Sequence, residues 1–63
     1  MKYYITHLED INDIYIPHYV TYIGTEEQYG IWRTEIEVDE DYVETAEDWM
    51  WNTDNIIEYT PLF

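Results

Sequence analysis

Two hydrophobic rhythms run along this chain. Ile31 to Val38, IWRTEIEV, places Trp32, Thr34, Ile36 and Val38 on one side and Arg33, Glu35 and Glu37 on the other, the period-two pattern of an antiparallel strand with one buried face. From Asp41 to Trp51 the period lengthens. Tyr42, Val43, Ala46, Trp49 and Met50 fall on one face at helical spacing, and Asp41, Glu44, Glu47 and Asp48 fall on the opposite face. Asp39, Glu40 and Asp41 lead into that helix, where carboxylates cap free N–H groups and suit the positive end of the helix dipole.

The remaining segments read as short strands and turns. Lys2 to Leu8, KYYITHL, is rich in aromatic and branched residues and predicts a strand, followed by a polar turn over Glu9 to Asp13. Ile14 to Ile23 predicts a second strand region interrupted by Pro17, which lacks an N–H for a ladder and implies an edge, a bulge or a break. Gly24 and Gly30 bracket TEEQY as the expected hairpin connection. Asn52 to Asn55 supplies turn chemistry, and Ile56 to Thr60 predicts a last strand before Pro61. The whole predicts one α+β domain over residues 1–63, a small antiparallel β-sheet in the order β-β-β-α-β with one amphipathic helix packed on it.

Size makes such a domain marginal, since a single core at 63 residues supplies only about 3–5 kcal/mol. There is no cysteine, so neither a disulfide nor a thiolate ligand contributes. The N-terminus, MKYYITHLED, lacks the apolar core of a signal peptide, and no run approaches the roughly 20 apolar residues that span a bilayer. A cytoplasmic chain without a membrane partner is expected. Eight tyrosines, three tryptophans and one phenylalanine argue for a folded chain, because disordered acidic chains are poor in aromatics. Tyr3, Tyr15, Tyr19, Tyr22, Trp32, Tyr42, Trp49 and Tyr59 are expected to fill the core.

Charge changes the picture most. Fifteen acids stand against Lys2 and Arg33, for a net charge of −13, beyond the magnitude of about 2–8 that solubility asks of a small domain. Phosphates would be repelled, so direct binding to nucleic acid or to an anionic membrane is not expected, and a basic protein surface or a cation is the complement. Eight of the acids lie between Glu35 and Asp48: Glu35, Glu37, Asp39, Glu40, Asp41, Glu44, Glu47 and Asp48. With Trp51 they form the candidate protein-binding site. Helical positions three or four apart rise about 4.5–6 Å, so Asp41, Glu44 and Asp48 make a charged row that Glu35 and Glu37 are expected to extend from the neighbouring strand. Trp51 falls between Glu44 and Glu47 in azimuth. It is either an exposed anchor, a residue type enriched among binding hot spots, or the indole folds back on the core beyond a helix that ends at Met50.

Reactive groups are few. With no serine or cysteine, only threonines, carboxylates, His7 and His18 could react, and one small domain scarcely encloses a pocket for paired-carboxylate chemistry. No enzymatic activity and no cofactor are expected, and the two histidines read as structural. Asp10 to Asp13 and Asp39 to Asp41 hold calcium-type oxygens but lack the glycine and the final glutamate of an EF-hand loop, so no metal site is expected.

The acidic run from Glu35 to Asp48, with Asp54 and Glu58 beyond, in a very short, cysteine-free and aromatic-rich chain, resembles in kind and composition the small phage-encoded inhibitors of host defence, of the anti-restriction, anti-CRISPR and DNA-mimic type. That resemblance implies an inhibitor acting in the host cytoplasm on a basic, nucleic-acid-binding host protein. Two alternatives carry the same composition: an inhibitor or adaptor that meets a host protein at a non-DNA site through an aromatic and acidic patch, and an antitoxin-like partner of a basic protein. A homodimer is also expected, because a small sheet with one helix leaves Tyr4, Leu8, Tyr15, Leu62 and Phe63 as apolar surface to cover.

Overall fold

A computed structural model describes residues 1–62. Its elements are β1 (Lys2–His7), a 3₁₀ turn (Ile11–Asp13), β2 (Val20–Gln28), β3 (Ile31–Val38), a 3₁₀ turn (Glu40–Tyr42), helix α1 (Val43–Asn52) and β4 (Ile56–Leu62). The four strands form one antiparallel sheet in the spatial order β2-β3-β1-β4. The α+β class and the β-β-β-α-β chain order follow the sequence reading. The N-terminal strand lies inside the sheet, with Lys2 opposite Glu37 of β3 on one side and Leu62 of β4 on the other.

One face of this sheet makes the core. Tyr3 and Ile5 from β1, Ile36 and Val38 from β3, Val20 and Ile56 pack with Ala46 and Met50 of the helix, and Ile14 closes the cluster from the β1–β2 connection. Ala46 and Met50 are one turn apart, so both reach the sheet from the same helical stripe. Val43 and Trp49 flank them, half-buried. Tyr42 stands outside the helix and is exposed, stacked on Tyr19 with ring centroids 5.1 Å apart.

Three boundaries differ from the sequence reading. Pro17 breaks the second strand region completely, so residues 14–19 run back along the sheet toward the Val38 end as irregular chain, and β2 begins at Val20, whose N–H donates to the Pro17 carbonyl. The expected connection between Gly24 and Gly30 is largely strand. Thr25, Glu26 and Glu27 pair with Thr34, Arg33 and Trp32, and Ile23 forms a bulge between the Tyr22 and Gly24 pairings. Only Tyr29 and Gly30 turn, at φ 56° and 80°, the two left-handed positions of a type I′ hairpin. Strand β4 continues through Pro61 to Leu62, which an edge strand tolerates.

The aromatic core is smaller than expected. Of the eight named residues Tyr3 alone is fully buried; Tyr19, Trp32, Trp49 and Tyr59 are half-buried, and Tyr15, Tyr22 and Tyr42 are exposed. A single helix of ten residues covers too little of a four-stranded sheet to bury them all. Buried His7 fills part of that space. Its Nδ1–H donates to the Glu9 carbonyl at 2.6 Å, and Nε2 meets the Thr34 hydroxyl at 2.7 Å. His18 is exposed and sits edge-on to Tyr19 and Tyr42.

Candidate functional site

Alternation in β3 divides the acidic run. Ile36 and Val38 are buried in the core with α1, and Thr34 is buried on the same face, so Glu35 and Glu37 project from the opposite face of the sheet. They therefore do not extend the helical row of Asp41, Glu44 and Asp48, which lies on the other side of the molecule. The two basic side chains are on that open face too. The Lys2 ammonium is 4.0 Å from the Glu35 carboxylate, and the Arg33 guanidinium lies over the Tyr4 ring at 4.0 Å. The N-terminal ammonium lies 4.0 Å from Glu37 and donates to the Val38 carbonyl at 2.8 Å.

Asp39, Glu40 and Asp41 are exposed. Asp39 also caps its 3₁₀ turn, accepting from the Asp41 N–H at 3.0 Å. That turn separates Asp41 from the helix proper, which begins at Val43 with no side-chain cap. Glu44 and Asp48 project into solvent from α1. Glu47 does not: it is half-buried and accepts a hydrogen bond from the Tyr3 hydroxyl at 2.8 Å. Burial, that hydrogen bond and the nearby carboxylate charge together push the Tyr3 hydroxyl up to about 12. Glu47 thus belongs to the structure beneath the acidic face.

Trp51 is still helical and is 79% exposed. The helix ends one residue later, where the Asn52 side chain donates to the Asp48 carbonyl at 2.8 Å and the Thr53 hydroxyl to the Trp49 carbonyl at 2.6 Å. These bonds satisfy carbonyls that a helix end otherwise leaves free. The indole projects beside β4, and an open groove of about 510 Å³ runs between them, lined by Met50, Trp51, Ile56, Ile57, Glu58 and Tyr59.

Ile57, Glu58 and Tyr59 were missed as site residues. His7 pairs with Ile56 and Thr6 with Glu58, which makes Ile57 the extra residue of a bulge. The bulge lets Ile56 turn into the core while Ile57 stays 54% exposed in the groove, a re-aiming that bulges commonly perform. The doublet Ile56-Ile57 carried the signal, since two adjacent isoleucines cannot both face inward on a regular strand. Residues 39–62, which build the helix and β4 side, carry eight carboxylates and no lysine, arginine or histidine. Among the described residues no helix is long and apolar enough to cross a membrane.

Comparison with protein-family models, curated proteins and solved structures finds no match for the chain.

Proposed function

We propose that this chain is a non-catalytic binding protein, an acidic inhibitor or adaptor that engages a basic protein partner through the surface built by α1 and β4. The observation that carries the reading is Trp51, an indole 79% exposed at the edge of a groove. The segment that carries it, residues 39–62, holds eight carboxylates and no lysine, arginine or histidine. Charge of one sign speeds and orients encounter with an opposite surface, and a tryptophan buried on contact supplies the anchor. The likeness in kind to phage-encoded inhibitors of host defence supports a partner of the basic, nucleic-acid-binding class in a host cytoplasm.

A DNA-competitive form of this reading is supported by Glu44 and Asp48, exposed one turn apart on α1, with Asp41 exposed in the 3₁₀ turn before it. In that form the carboxylates occupy the positions of phosphates on the partner. The division of Glu35 and Glu37 onto the opposite face shortens the row and favours the anchored form.

The test begins with affinity capture from a bacterial lysate and identification of the retained protein. Its affinity is then measured across a salt series for the wild type, for Trp51→Ala and for Glu44→Gln with Asp48→Asn, with duplex DNA as competitor. Glu47 is left intact because it holds Tyr3. An anchored contact weakens by at least about 2 kcal/mol in Trp51→Ala, whereas phosphate mimicry shows a shallower salt slope in the amide variant and loss of binding to DNA. Retention of no basic protein, or affinity unchanged in both variants, overturns the proposal.

A further inference from the structure

Of the two sheet edges, β2 lies beside the β1–β2 connection, whose Ile11, Ile14 and Ile16 pack into the core. Strand β4 has only the last turn of α1 above it, and nothing among the described residues pairs with its outer side. We infer that β4 accepts an extended basic segment of the partner as a fifth strand, with an apolar side chain of that segment seated between Trp51 and Ile57. The inference rests on the reading of the chain as a binder of a basic protein and adds the form that the bound segment takes.

Three features of this edge fit an added strand. An edge strand offers a row of backbone N–H and C=O groups to an incoming chain, and side chains alternate in and out of whatever pockets adjoin it. Of the usual protections of an edge, β4 has Pro61 near its far end and the bulge at its start but no lysine, and that bulge places Ile57 toward the groove and leaves residues 58–60 regular. An incoming strand in this position brings every second side chain over Met50, Trp51 and Ile57, and the others into water beside Glu58.

Charge selects the occupant. A second copy would set the base-free acidic side, residues 39–62, against itself, and nucleic acid would meet the same repulsion. A segment alternating lysine or arginine with branched apolar residues meets both the groove and the carboxylates.

The probe is a fluorescently labelled peptide of alternating lysine and valine, titrated into the full chain and followed by polarisation. Companion peptides replace lysine with glutamate, or carry N-methyl groups on alternate backbone amides. Amide hydrogen exchange of the chain is read with and without peptide. We expect the lysine peptide to bind and the glutamate peptide not to bind. N-methylation on the paired edge, Trp51→Ala and Ile57→Ser should each weaken binding at least about tenfold, with exchange slowed over residues 57–60. Each variant is first shown to melt cooperatively.

Absence of lysine-peptide binding overturns the inference, and so does binding indifferent to N-methylation and to both substitutions. Salt-dependent binding that ignores those changes leaves the acidic-binder reading intact while removing the added strand. Failure of both the peptide and the captured basic proteins to bind removes both. Protection of β4 that appears without peptide and grows with chain concentration identifies a second copy as the occupant and overturns the basic segment.

Discussion

The Tyr3 hydroxyl donates to the Glu47 carboxylate at 2.8 Å, joining the inner strand β1 to the middle of α1. Phenylalanine at position 3 keeps the ring and removes the bond, so Tyr3→Phe is expected to cost about 1 kcal/mol, measured by urea unfolding at neutral pH. Alkali should act through the same atom. The Tyr3 hydroxyl titrates near 12 in the fold against about 10 in the unfolded chain. Its contribution is therefore fully present below pH 10 and is lost as pH rises through 12. The alkaline loss of stability should be shallower in Tyr3→Phe, and an identical limb in both proteins would contradict the assignment.

Tyr29 occupies a left-handed position, φ 56°, with its side chain 92% exposed. Asparagine and glycine adopt that conformation at less cost than an aromatic residue. Tyr29→Asn is expected to stabilise the chain by about 0.5–1 kcal/mol, and Gly30→Ala, at φ 80°, to destabilise it by about 1 kcal/mol. Thermal melts of the two variants should move in opposite directions. A lowered midpoint for Tyr29→Asn would show that the tip aromatic stabilises the fold.

His7 links two strands through a buried chain of hydrogen bonds. The Glu9 carbonyl can only accept, so Nδ1 carries the proton and Nε2 accepts from the Thr34 hydroxyl, which in turn contacts the Thr25 hydroxyl. Thr34→Val leaves Nε2 buried without its donor and is expected to cost about 1–3 kcal/mol. His7→Phe leaves the Thr34 hydroxyl with Thr25 alone and the Glu9 carbonyl without its donor, and should cost a similar amount. The double variant removes both partners, so its loss should fall clearly short of the sum of the single losses, as a double-mutant cycle would read. Additive losses would mean that the bond is energetically idle.

Salt is expected to raise the melting temperature, because −13 on 63 residues leaves most carboxylates repelling one another. The same screening governs self-association. Tyr4 and Leu62 share the open face with Glu35 and Glu37, while Leu8 and Tyr15 are exposed beside and within the β1–β2 connection, and Phe63 lies outside the described residues. We propose a dimer through the open face that forms only when its carboxylates are screened. Light scattering should show mass rising with salt, and a monomer at high concentration in moderate salt would remove the dimer.

Strand β3 and the helix were legible because each carries an unbroken period over eight residues or more. The second strand was not, since its outer half reads TEEQ, a polar stretch held in register by pairing with β3 that no local pattern reveals. Pro17 marked a break without saying how much chain would leave the sheet. Glu44 and Asp48 are exposed as helical spacing predicts, and Trp51, left open between an anchor and a core position, is exposed. Glu47 shares the same spacing, but its neighbour on the next layer is Tyr3, forty-four positions away. The separation of Glu35 and Glu37 from the helix followed from the alternation of β3 combined with the side on which the helix packs. That side is a tertiary fact.

Strand β1 precedes in the chain both strands that enclose it. During synthesis KYYITH emerges first and waits for β3 and then for β4, whose Leu62 completes the pairing with Lys2. Closing such distant pairs is slow, in the range of milliseconds to seconds rather than microseconds. A strand of tyrosine, isoleucine and threonine left open for that time invites pairing between neighbouring nascent chains. Fourteen of the fifteen acids, all but Glu58, are made before β4 begins. The repulsion that weakens the finished fold is thus in place early enough to keep growing chains apart until the sheet can close.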